Sequence, residues 1–189
     1  MRRLALVPAL VSLVFAAAFA QEPVVGLEKT AQALKHTPSK TEFALPAKWT
    51  VLPPQALPGG GVSVGLRRDD PAIEVTLYWA SLAGPLDDFV RLKPDPKTKS
   101  YGREHEALKL LYEDKVGKPE LIKVGERSIF RILIDDGPLR DGKLAGVLYI
   151  FEAGANPKER WRLKLWAKYP KMKQEEHQKV VEALLGNYK

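Results

Sequence analysis

Period-two alternation dominates the middle of this chain. Val62, Val64 and Leu66 alternate with small or polar residues, and Arg67 to Pro71 follows as a turn. Ile73, Val75, Leu77 and Trp79 then alternate with Glu74, Thr76, Tyr78 and Ala80. Successive strand side chains point to opposite faces, so this pattern predicts a half-buried antiparallel hairpin. Three more strands are expected at roughly 120–126, 128–135 and 144–152, with turns at Asp135-Asp-Gly-Pro and Arg140-Asp-Gly-Lys before the last. A further strand runs from Arg160 to Lys168. Trp161, Leu163, Leu165 and Ala167 share one of its faces; Arg160, Arg162, Lys164, Trp166 and Lys168 share the other. A hairpin around Asn156-Pro157 would set Phe151 opposite Trp161 and Tyr149 opposite Leu163. It would also bring Leu148, Ile150 and Glu152 onto the basic face.

Helical spacing appears elsewhere. Val24, Leu27, Ala31 and Leu34 predict a short helix over 24–35, closed by His36-Thr-Pro-Ser. Thr41 to Leu52 reads as extended, with breaks at Pro46 and Pro53-Pro54. Leu86 to Leu92 predicts a helical turn or two, and 93–99 a polar, Pro-rich loop. Glu104 to Lys115 predicts a helix with Leu108, Leu111 and Tyr112 on one face. The chain closes in an amphipathic helix from about Lys173, with Val180, Val181, Leu184, Leu185 and Tyr188 as its apolar stripe. No internal repeat or long linker divides the chain. Strands grouped together, with helices at the edges and end, predict an α+β fold: a mostly antiparallel sheet with flanking helices.

The start of the chain changes the picture. Arg2 and Arg3 precede an apolar run from Leu4 to Ala17, and Ala18-Phe19-Ala20 supplies the small-x-small pattern of a signal peptidase site. The run is shorter than the ~20 residues of a spanning helix. Residues 1–20 are therefore expected to be a cleaved signal peptide. Residues 21–40 are expected to form an N-terminal helical segment and 41–189 a single domain. The expected location is periplasmic or secreted, with no transmembrane segment after cleavage. The absence of Cys excludes thiol nucleophiles, thiolate metal sites and disulfides. Charge is unevenly placed. Residues 21–157 balance 19 Lys and Arg against 19 Asp and Glu, whereas residues 158–189 hold nine against four, a net +5. A localised excess of this kind points towards an acidic partner.

Phe43-Ala-Leu-Pro46-Ala-Lys-Trp49 leads into the first hairpin with an aromatic, a Pro and a Trp. This opening resembles that of PsbP-like domains. The order that follows is similar too: hairpin, helical excursion, antiparallel strands, closing amphipathic helix. The resemblance covers roughly residues 41–188. At the end, Leu185-Gly186-Asn187-Tyr188 stands where such domains often show a Ser followed by an aromatic. The resemblance implies an α/β sandwich and a binding or assembly role. Such domains include photosystem II extrinsic subunits, binders of a small nuclear GTPase and exported bacterial proteins.

Chemistry can be sought in several places. Arg160, Arg162, Lys164, Trp166 and Lys168 form a cationic ribbon with one aromatic, suited to carboxylate or phosphate groups. The same residues would also serve as a solvated sheet face, their stems covering Leu148 and Ile150 and Glu152 pairing with Arg160. His36, His105 and His177 lie in separate segments without metal-ligand spacing, and Glu104-His105-Glu106 reads as surface helix charge. Asp69-Asp70, Asp87-Asp88 and Asp135-Asp136 fall at turns or helix starts. Gly59-Gly60-Gly61 lacks the context of a phosphate loop, and Ser63, Ser81, Ser100 and Ser128 lack that of a seryl nucleophile. No catalytic residue, metal or cofactor is assigned. The function read from the sequence is a non-enzymatic exported module that binds an envelope protein or an acidic envelope component. The alternative is a periplasmic enzyme of unrecognised type, with hydrolase the leading form. Nucleic acid is disfavoured, because the basic face carries one aromatic rather than a spaced series.

Overall fold

In the computed structural model, the described residues are 26–30, 32–135, 144–154 and 160–189. The expected signal peptide and the turns expected within 136–143 and 155–159 lie outside them. Eight strands make the main sheet: β4 (Thr50–Val51), β5 (Gln55–Leu57), β6 (Gly61–Asp69), β7 (Ala72–Ser81), β8 (Glu120–Val124), β9 (Arg127–Ile134), β10 (Leu144–Ala153) and β11 (Trp161–Pro170). Three more, β1 (Leu27–Lys29), β2 (Ala33–His36) and β3 (Thr41–Ala44), form a separate meander. Helix α1 (Arg103–Tyr112) lies in the long excursion between β7 and β8, and α2 (Gln174–Gly186) follows β11.

The main sheet is antiparallel, in the order β4-β6-β7-β11-β10-β9-β8, with β5 also pairing β6. The expected α+β class, antiparallel sheet and C-terminal helix are all present. The hairpin β6–β7 joins the meander β8–β11 through β7 and β11, which places β11 near the sheet centre. Val147 to Phe151 of β10 are buried on both faces, and the unbroken apolar run of this strand supplies what two covered faces require.

Each face has its own core. On one, α2 and the meander cover the alternating apolar residues Val64, Leu66, Val75, Leu77, Trp79, Tyr149, Leu163 and Leu165. Glu182 of α2 accepts hydrogen bonds from Arg131 (3.0 Å) and the Tyr149 hydroxyl (3.1 Å), tying the helix across the sheet. The other face is covered by α1 and the segment before it. There Val90 and Leu108 pack on Ile132, Ile134, Leu148 and Ile150.

The N-terminal segment departs from expectation. In place of a helix over 24–35, the chain makes β1 and β2 of the meander. The Thr30 hydroxyl accepts the Ala33 N–H at 2.9 Å, and this local turn reverses the chain. Leu34 then packs in the core, Lys35 faces outward and His36 is buried, a period-two pattern. Four apolar positions in twelve residues are too few to fix a period, and two of them, Val24 and Ala31, lie outside the described residues. The excursion at Leu86 is shorter than expected, a single 3-10 turn over Leu86–Asp88.

The β10–β11 hairpin is also slipped by two residues. Phe151 faces Leu163 and Tyr149 faces Leu165. An even slip keeps every side chain on its expected face, so the core and basic faces are as read.

Candidate functional site

The cationic ribbon lies along β11, on the face that α1 covers. All five expected ligand-binding residues are here, and each has an internal partner. Both oxygens of Glu152 accept from Arg160, whose guanidinium also donates to the Gly84 carbonyl at 3.2 Å. Glu104 of α1 pairs with Arg162 at 2.8 Å and with Lys164 at 3.2 Å. Lys168 pairs with Glu74 at 3.2 Å. Trp166 stacks on Tyr112, ring centroids 6.2 Å apart, and its indole lies over Gly146.

Arg162 is the most enclosed of the four cations. Its side chain is 11% exposed and its guanidinium lies 4.0 Å above the Phe89 ring, with Arg103 on the same ring at 5.5 Å. Burial pulls its pKa below the ordinary arginine value, Glu104 opposes this, and nearby Arg103 adds to it. The contact with Glu104 is an ion pair angled off the hydrogen-bond direction; among the described residues Arg162 Nε has no acceptor. Arg162 and Lys164 therefore share one carboxylate, Glu104.

The strand registers turn this face into a lattice. One row across it runs Gln55, Ser63, Tyr78, Lys164, Ile150. The next runs Gly65, Thr76, Trp166, Leu148, and a third Arg67, Glu74, Lys168, Gly146. The α1 layer covers the β9, β10 and β11 end of these rows. At the β5, β6 and β7 end lies a trough of about 600 Å3, lined by Leu52, Pro53, Gln55, Leu57, Ser63, Gly65, Thr76 and Tyr78. Leu52 folds over Gly65, where a Cβ would stand 2.9 Å from its Cδ1. Lys164 does not line the trough, but its Nζ sits 5.3 Å from the ring centroid of Tyr78, which does, so the ribbon comes up to the trough at Tyr78.

Apart from Ser63, weighed only as a nucleophile, the trough residues were not singled out in the sequence. Alternation on β6 and β7 does assign Ser63, Gly65, Thr76 and Tyr78 to one polar face. What it lacks is the knowledge that a helix would cover only half of that face.

A second arrangement also escaped sequence reasoning. His36 Nδ1 lies 2.7 Å from Ser39 Oγ, which lies 2.6 Å from Thr41 Oγ1. The Ser39 N–H donates to the same His36 nitrogen at 3.3 Å, which assigns the ring proton to Nε2. His36 stacks on Trp79 at 5.3 Å and meets Trp161 edge-on at 4.7 Å. Nucleophile and base need such proximity, but His36 is 1% exposed and Ser39 4%, so both are sealed from substrate. The pair pins the β2–β3 turn against the sheet. His105, expected at a helix surface, is buried against Tyr101 at 5.0 Å because α1 turns that side towards the loop before it.

Asp69 and Asp70 lie at the β6–β7 turn, and Asp87 and Asp88 at the start of the excursion. No group of three or more His, Asp or Glu residues is placed to hold a metal ion among the described residues. No helix among them is long and apolar enough to cross a membrane. Comparison with protein-family profiles, curated proteins and solved structures finds no match.

Proposed function

We propose that this chain is an exported, non-catalytic binding module whose site is the open half of the α1-covered sheet face and whose ligand is an anionic envelope component. The observation that carries this reading is the trough over β5, β6 and β7, with Lys164 of the basic strand beside it at Tyr78. A cation beside a concave, mixed polar and apolar surface suits an acidic ligand. The PsbP-like resemblance supports a binding role, and the signal-like N-terminus supports an envelope location. The sealed His36–Ser39 pair gives no support to the hydrolase alternative. An envelope protein is the second reading. It is favoured by Leu110 and Leu111 on the outer side of α1, which are 84% and 57% exposed.

Binding of the mature protein to anionic polysaccharides and anionic liposomes across a salt series tests the proposal. The variant of choice is Lys164→Gln with Lys168→Gln. Reversing Arg162 instead would break its pairing with Glu104 and release α1 as well. Salt-sensitive binding that the double variant loses is the expected result. Equal binding by both proteins, or none by either, overturns it.

A further inference from the structure

We infer that the trough on β5, β6 and β7 is a subsite for an acidic saccharide chain, read by side-chain hydroxyls along its floor and by Lys164 beside it. The inference rests on the reading of this half-face as the binding site and names the ligand class.

The floor carries the argument. Ser63, Thr76 and Tyr78 place three hydroxyls on adjoining rows, and Gln55 extends the first row with an amide. Each hydroxyl both donates and accepts, and the amide does so from two ends. Among the described residues, the Thr76 and Tyr78 hydroxyls and the Gln55 amide make no hydrogen bond to the protein and are open to a ligand. A saccharide presents the same dual character along its length, together with apolar C–H faces. Leu52, Pro53, Leu57 and the Tyr78 ring provide the matching apolar walls. A carboxylate on the sugar would meet Lys164, whose one carboxylate partner among the described residues, Glu104, is shared with Arg162.

Two other ligand classes fit less well. An extended peptide gains affinity by adding to a sheet edge through its backbone. Strand β6 is paired on both sides, to β4 and β5 on one and β7 on the other, so among the described residues the edge beside the trough is that of β5, three residues long and too short to anchor an added strand. A bilayer surface is broad, whereas the hydroxyls lie on a concave floor between the Leu52 and Leu57 walls. A chain can enter that space.

The test is a nuclear magnetic resonance titration of the mature protein with oligogalacturonate. Its methyl ester is the uncharged control, and sedimentation with phosphatidylglycerol vesicles is run in parallel. Shifts centred on Gln55, Ser63, Thr76, Tyr78 and Lys164, reduced with the ester, are expected. Thr76→Val should weaken binding about three- to tenfold, the range of one lost hydrogen bond. Lys164→Gln should bring the acid down to the ester's affinity. The spectra themselves report that each variant is folded. Shifts mapping elsewhere overturn the assignment. Vesicle binding that Lys164→Gln weakens, without saccharide binding, overturns the saccharide while leaving the half-face as a site. Silence towards both probes overturns both readings.

Discussion

At the scale of single residues, His36 makes the clearest demand on solution conditions. It sits between Trp79 and Trp161, and burial lowers its pKa from 6.5 to about 4. No charged group contributes to that shift. The unfolded chain therefore takes up the proton at a higher pH than the folded one. The stability that neutral His36 contributes is complete above about pH 6.5 and is lost as pH falls from there through 4, each unit of displacement being about 1.4 kcal/mol. His105 is shifted in the same direction, chiefly by burial. Urea unfolding should therefore move to a lower midpoint between pH 7 and pH 4.5, and His36→Leu should flatten that dependence. A His36 ring resonance that titrates near its ordinary value would refute the account. Glu104 makes a second demand, because it is the partner of two cations. Glu104→Gln should cost about 2 kcal/mol, less than a fully buried pair because Lys164 still reaches water. An unchanged denaturation midpoint would mean that the pairing contributes nothing net.

At the scale of elements, α1 depends on how its first residue is approached. Gly102 precedes it at φ 104° and ψ 165°, a conformation open essentially to glycine. A Cβ there would stand 2.5 Å from the Phe89 carbonyl oxygen, which accepts the Glu104 N–H at 3.0 Å. Gly102→Ala should therefore destabilise by about 1–3 kcal/mol and displace the Glu104 end of the helix. Thermal unfolding beside an equivalent change at Gly125 checks this: Gly125 also has positive φ, but its Cβ would meet nothing. Similar losses would assign the effect to backbone strain alone. Gly102 also marks the limit of what sequence could say. Long strands were legible, because β6, β7 and β11 alternate over nine or ten residues and β10 is an unbroken apolar run of similar length. The faces of β11 were legible for the same reason and survived a two-residue slip in register. The meander was not, because β1 and β2 are three and four residues long and a single Thr30 turn separates them from a helix. The trough was half legible. Its polar face follows from period two, whereas its boundary depends on Glu104 meeting Arg162 and Lys164 from a helix about 60 residues away in the chain.

At the scale of the whole molecule, the sheet is covered unequally. Among the described residues, the core beneath α2 and the meander joins 22 buried residues, and the core beneath α1 joins six. Burial of apolar surface is the main favourable term in folding, so the two layers cannot be equally secure. Helix α2 adds the Glu182 bonds to Arg131 and Tyr149, and the chain end returns to the meander where Lys189 and Glu42 exchange backbone hydrogen bonds of 2.8 and 3.0 Å. The α1 layer has its small core, the Tyr112–Trp166 stack and the Glu104 pairings. Opening of that layer should therefore precede global unfolding. Amides of Arg103–Tyr112 should exchange hydrogen through an opening of lower free energy than amides of β7, β10 and β11. Glu104→Gln should widen the difference by speeding exchange in α1 while leaving the central strands nearly unchanged. The same opening would uncover the rest of the lattice, extending the trough past Lys164 to Ile150 and Leu148. A bound acidic chain confined to the trough would slow exchange in β6 and β7 and leave α1 as it was. One that reaches under α1 would change exchange in the helix as well. Equal protection of α1 and the central strands in the free protein would show that the two layers unfold as one, and would confine any ligand to the trough.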